Sequence, residues 1–275
     1  MPNPSINRRV LANASGPGID PVVTAWALSV VANGGAMPSQ PTINAYDTFW
    51  KALIAGGISS KMIIVNGIAP DSTVAALTPL VAGSGLNPWV IVGGVSLSVN
   101  GLTCTGNAGY FRTGANPTVM YANDNNSGWS VYNSQAGGVS GDSLGMCYNG
   151  GTGWGRFGTG FIASYNVWDF GPYTSTINGT PGFTSCNRTG AAALAVYEAR
   201  SNVAFNTAAS GSTAPSGRPN LEVWFGAWNN NGSPANGQAS RISFAAFHVG
   251  LTSAEANVLF NATQALRTSF GGGFA

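Results

Sequence analysis

The chain has 275 residues, of which only 7% are charged, against roughly 25% in an ordinary soluble domain, while glycine fills 39 positions. Eleven basic and nine acidic residues leave a formal net charge of +2. No basic run extends beyond Arg8-Arg9, which excludes a nucleic-acid groove built on phosphate neutralisation. A surface kept wet by Asn, Ser, Thr and Gly lacks the charge repulsion of freely diffusing proteins and suits a molecule held inside an assembly.

Residues 1–19, rich in Asn and Pro and carrying Arg8 and Arg9, read as an extended arm docking onto neighbouring subunits. The first 30 residues lack the apolar stretch and cleavage site of a secretion signal. No run of 18 apolar residues follows, so neither export nor a membrane span is expected.

Residues 20–84 read as a helical lead-in. Asp20 before Pro21 is an N-cap with proline at the first helical position, and Val22, Val23, Trp26 and Val30 recur at helical spacing until Asn33-Gly34-Gly35. After Pro38 and Pro41, the residues Ile43, Tyr46, Phe49, Trp50, Leu53 and Ile54 predict a second helix, stopped by Gly56-Gly57 and paired with the first as a hairpin. The β-branched run Lys61 to Ile68 and a brief helix over Ser72 to Leu80 complete the segment.

Residues 85–275 change signature to short apolar or alternating runs separated by turn residues, with Asn-Gly at 100, 149, 178, 231 and 236. Candidate strands are Trp89–Val92, Val95–Cys104, Tyr110–Thr113, Trp129–Gln135, Leu144–Tyr148, Phe161–Trp168, Ala193–Glu198, Leu221–Trp228 and Ile242–Val249. The fold class is therefore mainly β, a sandwich with an N-terminal helical segment and a C-terminal helix. In Leu221-Glu222-Val223-Trp224-Phe225 both alternate faces carry apolar groups, so this strand is expected to be covered on both sides, with the helices as the outer cover. Thr252-Ser253-Ala254-Glu255 is a capping box preceded by Leu251 as a hydrophobic staple. Val258, Leu259, Ala262, Ala265, Leu266 and Phe270 form the apolar stripe of the helix 252–270 that closes the sandwich.

Cys104, Cys147 and Cys186 fit no zinc spacing and read as small, reduced, buried groups. Asn178 and Asn187 match the glycosylation sequon by chance in an Asn/Thr-rich chain. No two acids lie within 17 positions of each other, and Glu222 reads as a paired or edge carboxylate and not a catalytic one. His248 closes a strand on the face of Ile242, Phe244 and Ala246 as a hydrogen-bonded histidine, with no Gly-x-Ser-x-Gly elbow in the chain. Gly151-Thr-Gly-Trp-Gly reads as a loop, because no helix follows it to hold a phosphate. No catalytic residue, cofactor or metal is assigned, and the chain is expected not to be an enzyme. Two amide-rich turns with tryptophan, around Asp124, Asn125 and Trp129 and around Trp228, Asn229 and Asn230, are the candidate glycan contacts. Their Asp and Asn oxygens also suit Ca²⁺, and Asn-rich runs serve equally as plain turns.

The stretch from Arg241 to Arg267, with Gly250-Leu251-Thr252 and Glu255 at its centre, resembles the ending of a family of tailed-phage virion proteins. Thr42 to Asn66, with Phe49-Trp50-Lys51, and Gly109-Tyr110-Phe111-Arg112-Thr113-Gly114 are similar to earlier parts of the same proteins. The resemblance implies a concanavalin A-like, laminin G-like jelly roll made in the bacterial host cytoplasm. Its place would be the virion exterior, as a head decoration, fibre or tail component. It implies other virion proteins and further copies of the chain as partners. A host surface glycan is the alternative partner, with glycan depolymerisation a weaker one, since the alternating Glu-x-Asp-x-Glu strand of sandwich-fold glycanases has no counterpart here.

Overall fold

The computed structural model describes residues 18–135, 142–145, 155–158, 163–167, 173–175, 181–201, 203–212, 218, 220–235, 237 and 239–272. All but the last two residues of the expected arm, with Arg8 and Arg9, lie outside them, as do Cys147, Asn178 and residues 151–154 of the glycine-rich loop.

The lead-in forms as its punctuation dictates. Helix α1 (Pro21–Ala32) starts where the Asp20 carboxylate accepts the Val22 N–H, and α2 (Gln40–Ala55) starts where the Ser39 hydroxyl accepts that of Thr42. Their facing sides meet at Trp26 and Tyr46, whose ring centroids lie 4.2 Å apart, and the buried Trp26 indole donates to the Thr78 carbonyl at 2.9 Å. Strand β1 (Met62–Asn66) and the short α3 (Thr73–Leu77) follow.

Two large antiparallel sheets make up the rest. The inner sheet runs β13 (Val203–Gly211), β12 (Ala193–Arg200), β11 (Gly182–Gly190), β6 (Ser127–Gln135), β17 (Ala239–His248), β4 (Gly101–Thr105) and β3 (Ser96–Ser98). The outer sheet runs β10 (Tyr173–Ser175), β9 (Ala163–Val167), β8 (Gly155–Gly158), β7 (Asp142–Gly145), β14 (Trp224–Phe225), β5 (Gly109–Arg112) and β2 (Val90–Gly93). A small hairpin, β15 (Trp228–Asn230) with β16 (Ser233–Ala235), stands apart, α4 (Pro117–Met120) bridges β5 to β6, and α5 (Ser253–Ser269) closes the chain.

Strand β17 organises the molecule. One edge pairs with β6 along its length, while the other pairs with β4 over residues 239–242 and with β1 over 245–248. The lead-in thus contributes a strand to the same sheet as the sandwich. The inner sheet is apolar on both faces. Phe247, Trp129, Cys186 and Val196 join Trp89, Phe111 and Phe225 between the two sheets. Phe244, Tyr132, Phe183 and Tyr197 pack on the other face against Trp26, Phe49, Leu259 and Leu266 from α1, α2 and α5. The result is three layers, helices on inner sheet on outer sheet, around two cores.

The mainly β sandwich with helices at both ends of the chain is as expected, and several details differ. Val95–Cys104 is a hairpin, β3 with β4, because Gly101 has φ of 120° and lies so close to the Ile242 carbonyl that no side chain fits. Leu221–Trp228 breaks at Gly226, with φ of 90° and wedged on the Cys104 side chain. Its strand β14 belongs to the outer sheet. The helices therefore do not cover it. Trp224 is covered by Tyr110, stacked at 4.7 Å, and by the Arg112 guanidinium. Ile242 faces the inter-sheet core while Phe244, Ala246 and His248 face the helices, because the register with β6 slips between Ile242 and Phe244. On α5, Ala265 is exposed and Arg267 is fully buried in the stripe.

Candidate functional site

Among the described residues every acidic side chain is spent on the protein's own structure. Asp20 caps α1, Asp47 accepts the Asp20 N–H and pairs with Lys51 at 2.6 Å, and Asp71 accepts the Ser39 N–H and the Thr42 hydroxyl. Glu255 completes the capping box and pairs with Lys61 at 2.6 Å, Glu198 pairs with Arg200, and Asp124 pairs with Arg218. Glu222 is paired as expected: one oxygen accepts both Nε and an Nη of Arg112, and the other accepts the Gly114 N–H at 2.6 Å. Among the described residues no group of three or more His, Cys, Asp or Glu converges as a metal site.

His248 is fully buried, under the start of α5. Its Nδ1 lies 2.9 Å from the Val249 carbonyl and donates to it, which leaves Nε2 to accept the Ser130 hydroxyl at 2.8 Å. Ser185 lies 2.7 Å from Ser130, Asn187 Nδ2 donates to the Ser185 hydroxyl, and Asn187 Oδ1 accepts the Leu251 N–H. This line of four side chains crosses three strands. Burial pushes the imidazole down to about 4, so it is neutral near pH 7. The Ser–His pair has the contacts of a nucleophile and base, yet both residues are buried, with exposures of 1% and 0%. Asn187, one of the two sequons, is likewise buried and hydrogen-bonded through both its amide nitrogen and its amide oxygen.

Cys104 and Cys186 are free, buried thiols, as expected. Burial pushes Cys104 up to about 12 and Cys186 well above the thiol range, so neither is a nucleophile.

The two amide-rich turns are not brought together into one aromatic platform. Trp129 is fully buried between the sheets and offers no ring face to a sugar. Alternation puts it there, since it leads the inward set of β6. Asn229 is 3% exposed, with its amide donating to the Glu222 carbonyl and accepting the Gly232 N–H, so it staples its own turn. Asp124 is held by Arg218. Asn125 is exposed, and Trp228 and Asn230 are partly so. Neither of the two arginines buried to 0% was legible. Arg188 donates to the Gly190 and Ala191 carbonyls, and Arg267 donates to those of Gly67, Ile68, Val99 and Ser243. No motif marks Arg267, whose carbonyl partners lie 24 to 200 residues away along the chain.

No protein-family model matches the chain, and no curated protein does. Among solved structures it is similar to a Trypanosoma rangeli sialidase in complex with 2,3-difluorosialic acid, with a TM-score of 0.51 and 11% identity over 80% of this chain and 38% of that one. It also matches the botulinum neurotoxin serotype D binding domain, with a TM-score of 0.47 and 9% identity over 76% of this chain and 52% of that one. A third match is domain 4 of a Geobacillus stearothermophilus GH43 arabinanase in complex with arabinotriose, at 0.44 and 14% over 73% of this chain and 98% of that domain. The first of these likenesses concerns the fold alone, a mainly β sandwich. The first also corrects the expectation that the chain is not an enzyme, because a sialidase is among the solved structures with which it shares a fold. The exclusion rested on scarce carboxylates. A glycosidase needs only one well-placed pair of carboxylates, so a low count of acids does not exclude one.

Proposed function

We propose that the chain is a structural component of a virion exterior, working through contacts with copies of itself and with other virion proteins. The supporting observation is the disposition of charge. All seven acids with described side chains are tied into caps and ion pairs within the molecule, which leaves neutral amides, hydroxyls and scattered exposed aliphatics such as Ile54, Val90 and Val119 to meet neighbours. Such a surface associates without the desolvation cost of buried charge. The sequence resemblance to tailed-phage virion proteins supports the setting. Mass spectrometry of purified particles should find the chain in many copies. Deleting residues 1–14 should abolish incorporation while leaving the unfolding midpoint of the isolated chain unchanged. Absence from particles, or normal incorporation without the arm, contradicts the proposal.

A second reading, recognition of a host surface glycan, is favoured by the fold shared with a sialidase solved with a sugar analogue. The residues left for it are Asn125, Trp228 and Asn230. A glycan array should then give a selective signal that Trp228→Ala abolishes, and no selective signal from the intact chain rejects it.

A further inference from the structure

A concave site among the described residues has no role assigned so far. A cleft of about 250 Å³ opens where the β3–β4 turn, the ends of β6 and α5, the start of β17 and the β12–β13 turn converge. Its walls include Arg241, Asn100, Ser134, Ser201, Tyr132 and Gly272. Among the described residues Arg241 makes one side-chain hydrogen bond, from Nε to the Thr103 hydroxyl at 3.1 Å, and pairs with no carboxylate. The two terminal nitrogens of its fork are left for the cleft. Gly272 forms part of the wall in front of a second guanidinium, since a Cβ there would lie 2.8 Å from an Nη of Arg267. Arg267 also has no carboxylate partner among the described residues, only carbonyls. Among the described residues the cleft has the Arg241 fork in its wall and the buried Arg267 guanidinium behind Gly272, and no acidic residue lines it.

We propose that this cleft binds the carboxylate of an acidic sugar, a uronic or sialic acid residue, with Arg241 as its anchor. The chemistry selects this class. A planar guanidinium fork matches a carboxylate in a bidentate pair. Asn100, Ser134 and Ser201 supply the neutral amide and hydroxyl groups that a polyhydroxylated ring requires. A doubly charged phosphate would call for more than one accessible cation. The volume lies just below the roughly 300–1,000 Å³ of drug-sized pockets and suits a single ring. The site is distinct from the amide-rich turns of the second reading and stands or falls separately from it.

Titration calorimetry of the full chain with glucuronate and N-acetylneuraminate, against glucuronate methyl ester and inorganic phosphate, tests the proposal. At least one sugar acid should bind, and the neutral ester should bind about tenfold or more weakly, the factor expected from losing a charge-assisted pair. Arg241→Gln should weaken the acid by a similar factor and leave the ester unchanged. Because Arg241 also bonds within the sheet, Ser201→Glu provides a second variant at an exposed turn, where a like charge at the rim should repel the acid without touching the core. Binding of neither acid, equal binding of acid and ester, tighter binding of phosphate, or an unaffected Ser201→Glu variant would each overturn it. Trp228→Ala should not alter glucuronate affinity, so loss of the glycan-array signal and loss of this site are distinguishable.

Discussion

His248 shows how a polar side chain can be structural and still leave a functional-looking trace. Its pKa is about 4 in the folded protein and 6.5 when unfolded. A depressed folded value means that its full contribution is present above pH 6.5 and that stability falls as pH drops towards 4, where the unfolded chain binds a proton the folded chain refuses. Urea unfolding should therefore show a loss of about 2 kcal/mol between pH 6.5 and pH 5, with most of that slope absent in His248→Gln. Unchanged stability at the two pH values would show that the imidazole can be protonated in place. Ser130→Ala should cost about 1–3 kcal/mol by stranding Nε2 without a donor. The sequence announced a hydrogen-bonded histidine, but not its partners. Ser130, Ser185 and Asn187 belong to two other strands, and nothing local marks their convergence.

Elements with a local cause were legible, and those fixed by distant partners were not. The α1 start and the capping box of α5 follow from four or five consecutive residues, and the structure has both. Strand β11 escaped notice because Thr184, Ser185, Asn187 and Arg188 are polar, yet all are buried: Thr184 and Ser185 bond to β12 and β6, Asn187 to Ser185 and Leu251, and Arg188 to the carbonyls of Gly190 and Ala191. Strand β13 escaped because its burial pattern is shallow, in keeping with the sheet edge it occupies. The same division orders the energetics of α5. Thr252→Ala removes one cap at an exposed helix start and should cost about 1 kcal/mol. Arg267→Ala strands carbonyls from the loop after β1, the β3–β4 turn and β17, and should cost on the order of 3 kcal/mol or more. Chemical denaturation of the two variants measures the difference, and equal costs would show that Arg267 is not the clamp between helix and sheet.

At the scale of the whole molecule, the division into a helical lead-in and a sandwich describes the order of the chain and not its physics. β1 of the lead-in and β4 of the sandwich lie end to end on the same edge of β17, and the inner sheet is buried on both faces. The sequence announced the fold class through its strand and turn pattern and the neutral surface through its composition. It could not place the candidate glycan residues, because alternation along β6 sends Trp129 inward while the turn around Asn229 consumes its own amide. It also misjudged chemistry, since a count of acids says nothing about where two of them meet. The neutral exterior remains the feature on which the assembly proposal rests. Sedimentation equilibrium of the full chain at about 0.1 M and about 1 M NaCl tests it most directly, because the screening length falls from about 10 Å to about 3 Å over that range and ionic contacts between subunits weaken with it. The proposal predicts an oligomer of the same whole-number mass at both salt concentrations. A monomer at every protein concentration, or an oligomer that dissociates in high salt, would contradict it.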